Sequence, residues 1–522
     1  MRKKSCMRNK IILLGILGVL FTSCGDNFLD LSSKTSLTDE IYYKNQADME
    51  AAVNAVYAPL RELYTGTRPV SEAANAAYMM AEMHSDNTRY ILNPEFRATT
   101  NQEQVADFIH LASNSVSTFR YQQTYSIIAA ANKVLATVDG AEFDDESARD
   151  NVKGQALCLR AFSYFDLVQY FGSVPLHLEP VVTMGGAALP LSPVEDVYAR
   201  IIADLNQIID DDLLPVRRNQ PVLGRVTKGT AQMILANVYM VQKDYALAEI
   251  LLREIVSSGE YMLMANYADI FDPAFKNNSE SIFEIQYRQG NDGYSSTFSY
   301  GMLPYPLDQS TVAELTGVSD PQPLASIDGE AFDVPTPDLI TAYEAEDLRF
   351  DASIGYVADS HGTVFPFCKK YLHHHLQFEL SDDNWPVYRY AEVLLLLAEA
   401  INEQGKSVSE ALSYLNEPVG SSPVSIRGRA GLDPIIAGSQ EELREAIAHE
   451  RRIELAFENK RWLDLVRTGK AVEAITAYGA RVKADPSAYY FPAGYAPSAS
   501  AFSQIDLLWP LPAAEALYSP YF

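Results

Sequence analysis

Cysteine is nearly absent from this chain: 522 residues contain four, Cys6, Cys24, Cys158 and Cys368. No disulfide framework is available, so the core must come from ordinary apolar burial. Tryptophan is scarcer still, at three, so any flat aromatic face offered to a ligand relies on the 31 tyrosines and 22 phenylalanines. Basic residues are also in short supply, 41 against 68 acidic ones, for a net charge of −27. That sign repels nucleic acid and anionic headgroups, and no nucleic-acid partner is expected. No apolar run reaches the about 20 residues that a membrane helix needs. A nucleophile elbow, a phosphate-cradling glycine loop and an HExxH pair are missing as well. No cofactor and no enzymatic activity are expected.

What is present begins at the amino end. Arg2, Lys3, Lys4, Arg8 and Lys10 precede an apolar run from Ile11 to Phe21, followed by Thr22-Ser23-Cys24. This order predicts a lipoprotein signal over residues 1–23, cleaved before Cys24. Cys24 is then the lipidation site, and the acyl chains are the only membrane contact expected.

The rest, at 48% hydrophobic and 21% charged, reads as a globular chain of helices joined by long irregular stretches. Asn45-Gln46-Ala47-Asp48 predicts a capped helix start, with Met49, Ala52, Val53, Val56, Leu60 and Leu63 at helical spacing up to Gly66. Ser192-Pro193-Val194-Glu195 predicts another. Further helical patterns run over 104–138 and 146–170. Two helix pairs, near 228–258 and 388–417, resemble tetratricopeptide units, with Ala231, Ala236, Ala248, Ala398 and Ala411 allowing close approach. The expected fold is mainly α: a tetratricopeptide-like scaffold with little β and a loop-rich region over 260–385. That region holds one strand-like run from Ser281 to Tyr287. Long loops on a rigid frame are where binding residues tend to sit.

Two stretches invite a catalytic or metal reading. Glu450 to Arg467 is dense in Glu, Arg and Asp. Ser439 and Gly469 supply helix caps nearby, and Trp462, Leu463 and Val466 give an apolar face. Arg451, Glu454, Arg461 and Asp464 are therefore expected to form a packed ion-pair network that supports the fold. His373, His374 and His375 are consecutive, so their side chains diverge on any regular backbone, and no metal site is expected.

Several local patterns together resemble the SusD/RagB family of Bacteroidetes outer-membrane lipoproteins. They are Cys24 with Phe28-Leu29-Asp30, Arg160-Ala161-Phe162-Ser163-Tyr164-Phe165 with Phe171-Gly172, and Gly224-Arg225-Val226-Thr227-Lys228-Gly229. Asp347-Leu348-Arg349, Arg389-Tyr390-Ala391-Glu392, the Glu450–Arg467 stretch and Leu508-Trp509-Pro510 complete the series. The resemblance implies a single nutrient-binding unit over 24–522, built on four tetratricopeptide-like helix pairs. It also implies a non-enzymatic role on the outer membrane, facing outward, as the lid of a SusC-type TonB-dependent barrel. The ligand would be an oligosaccharide or a peptide.

Within that likeness the site residues are expected on the irregular loops. Asn87, Arg89, Tyr90 and Phe96 follow Ser85-Asp86, near where family members bind glycans. Asn291, Tyr294, Phe298, Tyr300 and Tyr305 lie among Gly290, Gly293, Gly301 and Pro304, outside any clear helix stripe. Ring stacking on sugar C–H faces would be the main contact. Periodicity alone would also allow a tetratricopeptide scaffold for another protein. A surface glycoside hydrolase is a third reading, but no motif nominates its carboxylate pair.

Overall fold

The structure is a computed structural model that describes residues 43–65 and 76–521. The signal and Cys24 lie outside the described residues. The principal helices are α1 (Gln46–Tyr64), α2 (Ser115–Thr137), α3 (Glu146–Phe171), α4 (Val194–Asp210), α5 (Lys228–Gln242), α6 (Tyr245–Ser257), α7 (Tyr390–Glu403), α8 (Val408–Asn416), α9 (Gln440–Glu454), α10 (Arg461–Arg467) and α11 (Ala471–Ala484). Helices α1 to α8 pack serially, each on the one before, and α9 adds to α7. This is a tetratricopeptide-like array of successive pairs.

Local sequence explains most boundaries. Asn45 accepts from the Asp48 N–H to cap α1, Asp145 caps α3 through the Ala148 N–H, and Thr227 caps α5 in a box with Thr230. Gly172, at φ +72°, ends α3. Three expectations shift. The 104–138 pattern breaks: a short helix, Thr100–Ala106, stops, and Asn114 restarts the chain as α2 by accepting from the Val116 and Ser117 N–H groups. Pro193 stands at the cap of α4, one place before the helix, while Ser192 is drawn into an antiparallel bridge with Val174. The helix expected from Tyr388 begins at Tyr390, because Trp385–Arg389 pairs as a strand.

Six short strands form three antiparallel pairs: β1 (Thr88–Ile91) with β3 (Ala331–Pro335), β2 (Ser281–Ile285) with β6 (Trp385–Arg389), and β4 (Ile354–Ala358) with β5 (Val364–Cys368). One large apolar core runs through the helical array, and two small ones lie under the loops.

A buried charge cluster fastens loops to helices. Glu454, wholly buried at the end of α9, accepts from Arg389 Nη1 at 2.6 Å, Arg349 Nη1 at 2.9 Å and Arg429 Nη2. Around it, Glu280 meets Arg389 and Arg429 at 2.8 and 2.6 Å, Glu458 meets Arg389 and Lys370 at 2.7 and 2.9 Å, and Glu450 meets Arg349 and Arg427 at 2.6 and 3.0 Å. Asp347 completes the set on Arg349 at 2.8 Å. Burial alone would raise the Glu454 carboxyl; Arg429, Arg389 and Arg349 outweigh it and hold that group far below the usual carboxylate range. The expected packed ion-pair network is what the geometry shows, with different partners. Arg451 pairs with Asp464 at 2.9 Å rather than with Glu454, and Arg461 reaches Asp86 at 2.8 Å.

Candidate ligand-binding groove

A groove of about 540 Å³ opens where α1, the loop before α5, and β2 with its following loop meet. Tyr57 and Arg61 stand four residues apart on one face of α1, with Asn54 beside them. Gly224 sits at φ +87°, a conformation that favours glycine, and packs on the Gln286 side chain just after β2, where a Cβ would fall 2.6 Å from Cδ. That contact delivers Leu223, which is exposed, and Arg225 to the groove wall. Arg225 Nη1 donates to Gln155 Oε1 at 3.0 Å, Nη2 donates to Asn54 Oδ1, and Cζ lies 4.7 Å from the Tyr57 ring centroid. Tyr57 donates to the same Gln155 oxygen at 3.0 Å, and burial pushes its phenol up against the opposing pull of Arg225.

The far wall is the loop after β2. The Arg288 N–H donates to the Tyr294 carbonyl at 2.8 Å and closes the segment 288–294. Tyr294 is 45% exposed, with the Arg61 guanidinium 4.6 Å and the Arg288 guanidinium 5.6 Å from its ring centroid. Arg288 pairs with Asp292. Glu284 lies behind, buried; it accepts from Asn384 Nδ2 at 2.8 Å and from the Asn277 N–H, and burial pushes its carboxyl up. A half-exposed ring flanked by guanidinium and amide groups suits a sugar, whose C–H face packs on the ring while donors meet its hydroxyls.

Of the residues nominated from sequence, Tyr294 and Asn291 stand exposed on this loop. The others are placed elsewhere, and burial takes most of them out of ligand reach. Phe298 is wholly buried, its ring 5.2 Å from that of Trp385. Tyr300 is also wholly buried, its OH 2.7 Å from His375 Nε2. Tyr305 is buried in the same small core, its ring against Gly329. Asn87 is buried between Glu82 Oε1 at 2.9 Å and Arg452 Nε at 2.7 Å. Arg89 is buried with its guanidinium 4.8 and 4.6 Å from the Tyr90 and Phe491 rings. Tyr90 is buried too, its OH donating to Asp107 Oδ2 at 3.0 Å. Phe96 is half-buried in the turn after β1 and does not line the groove. Loops this long build small cores of their own, which is why rings outside the helix stripes still become buried.

Sequence reasoning missed Asn54, Tyr57, Arg61, Leu223 and Arg225. The i, i+4 pairing of Tyr57 with Arg61 on the polar side of α1 was the available signal; the meeting with residues 223–225 had none. The three histidines diverge as expected: His373 Nδ1 lies 2.5 Å from Asp383 while His375 faces Tyr300. Among the described residues no group of three or more His, Cys, Asp or Glu side chains could hold a metal ion.

Comparison with known proteins gives a consistent result. Residues 27–240 match the family described as starch-binding associating with outer membrane, and residues 359–520 match the SusD family. SusD-like protein P2 of Formosa agariphila is 28% identical, over 95% of each chain. Surface glycan-binding protein A from Bacteroides uniformis is 25% identical with a TM-score of 0.72, covering 92% of this chain and 99% of its own. A laminarin-binding SusD-like protein is 25% identical with a TM-score of 0.69, over 91% of this chain and 98% of that one. Motifs, serial helix packing and matches at both ends agree, and the chain belongs to the SusD/RagB family.

Proposed function

We propose that residues 24–522 form a cell-surface oligosaccharide-binding unit, anchored by lipid on Cys24, that captures glycan for a SusC-type TonB-dependent barrel and does not cleave it. The observation that carries this reading is the half-exposed Tyr294 ring with Arg61 and Arg225 around one groove. The kinship with glycan-binding relatives supports the ligand class, and the outer-membrane description of the family match supports the location. Glu284, the carboxyl in the groove wall, is held by two amide donors, a placement suited to support rather than to proton transfer.

The test is calorimetric titration of the protein with soluble glycans, laminarin and starch oligosaccharides among them. Tyr294→Ala should weaken binding about tenfold or more, the scale of a lost aromatic platform, with an unchanged melting temperature and intact sugars recovered afterwards. Co-purification of a SusC-type barrel from native membranes checks the partnership. Undiminished binding by Tyr294→Ala would remove this groove from the function.

A further inference from the structure

Acidic residues outnumber basic ones in this chain, and most of its arginines are paired accordingly. Among the described arginines only Arg61, Arg149, Arg217 and Arg225 have no carboxylate within ion-pair distance. Two of these four, Arg61 and Arg225, line the groove, and Arg217 lines a small niche beside it that shares Leu223, Arg225 and Glu284 with it. Their donors meet neutral groups. Arg225 bonds the amide oxygens of Gln155 and Asn54, Arg217 bonds the carbonyls of Asn277 and Asn278 at 2.9 and 2.8 Å, and Arg61 lies over Tyr294. Of the nearby carboxyls, Asp292 is taken by Arg288, and Glu284 in the groove wall is buried and held by Asn384 Nδ2 and the Asn277 N–H.

Positive charge left uncompensated at one place, in a chain with a surplus of carboxylates, is a recognition feature for an anion. Guanidinium groups present planar, forked donors that match carboxylate and sulfate oxygens. Resting on the glycan reading above, we propose that the groove selects acidic oligosaccharides, with Tyr294 stacking on a sugar ring and Arg61 and Arg225 facing its carboxylate or sulfate ester. The surrounding negative field would repel such a ligand from most of the surface, which leaves this depression as its landing place.

Matched pairs of ligands test this by calorimetry: oligogalacturonate hexamer against its carboxyl-reduced twin, and a carrageenan oligosaccharide against its desulfated twin. The charged member of at least one pair should bind about tenfold tighter or more, the scale of hydrogen bonds to charged groups, and should weaken as salt rises. Whether the uronate or the sulfate pair shows the preference identifies the anion. Arg225→Gln should abolish most of the preference, bringing the charged member's affinity close to that of its neutral twin. Arg61→Gln, on the solvent side of α1, should do the same, and it keeps the test open if Arg225→Gln folds poorly. Equal affinity within both pairs, or Arg61→Gln without effect on the preference, overturns the inference, as does no binding to any of the four. If Tyr294→Ala then still abolishes binding of a neutral glycan, the groove assignment stands without its anion preference; if Tyr294→Ala changes nothing, both fall.

Discussion

Replacing Glu454 by Gln asks how much the buried charge cluster contributes. The substitution keeps the shape and removes one negative charge. In the native protein the buried groups Arg349, Arg389, Arg427, Arg429 and Lys370 face the buried Asp347, Glu280, Glu450, Glu454 and Glu458, five against five, and the half-exposed Glu344 adds to Arg427 from the solvent side. Glu454 alone touches Arg349, Arg389 and Arg429. Gln can still accept one or two of those hydrogen bonds, but its amide donors would face guanidinium groups. The buried charge left unpaired should cost roughly 3–5 kcal/mol, or a factor of about 10² to 10³·⁵ in the folding equilibrium at about 1.4 kcal/mol per decade. Urea unfolding followed by tryptophan fluorescence reads this directly, because Trp385 and Trp462 lie in the main core. Glu441→Gln is the control: its pair with Arg444 is exposed, and such pairs contribute about 0–1 kcal/mol. If both variants lose the same small amount, the cluster is not a fold determinant and the reasoning fails.

Two further outcomes are expected. Cys24→Ala should release the protein from membranes or leave its signal uncleaved, and lipid labelling that survives the change would exclude Cys24 as the anchor. Asp464 is held down to about 2 by Arg451 and Arg467 against the opposing effect of burial, below the about 3.9 of an unfolded chain. Its contribution is therefore full above about pH 4 and is lost as pH falls towards 2. Asp464→Asn should lower stability at neutral pH and flatten that acid limb, measured as melting temperature against pH; an unchanged limb would refute the assignment.

Much of the frame could be read from the chain because its signals are local. The capping residues Asn45, Asp145, Thr227 and Ser439 act within three residues of themselves, and helix stripes repeat over a few turns. The break at 107–114 was hidden because apolar residues continue through it; it is made by Asn114 and by Phe108 at φ +56°. Strand pairs were less legible, since Arg89 pairs with Val334, far away along the chain. The groove was the least legible part. Tyr294 stood out by its glycine setting, but Tyr300 shares that setting and is buried through a bond to His375, 75 residues later. Arg61 offers only its i, i+4 relation to Tyr57, and what singles out Arg61 and Arg225 together is the lack of nearby carboxylates in three dimensions.

The closure of 288–294 has a consequence for how such a protein changes over time. The loop is stitched at its base by the Arg288-to-Tyr294 bond and just beyond it by the Ser296–Ser381 bridge, while Asn291 and its neighbours face solvent. Residues inside the stitch can be exchanged or lengthened at the price of a closure entropy that grows only with the logarithm of length. The charge cluster that holds the frame is made by other residues, so it would not register the exchange. The 289–293 tip thus behaves as a replaceable part on a fixed handle. Grafting residues 289–293 from a relative should therefore change the polar tip beside the groove at little expense in stability, while Tyr294, Arg61 and Arg225 keep their places.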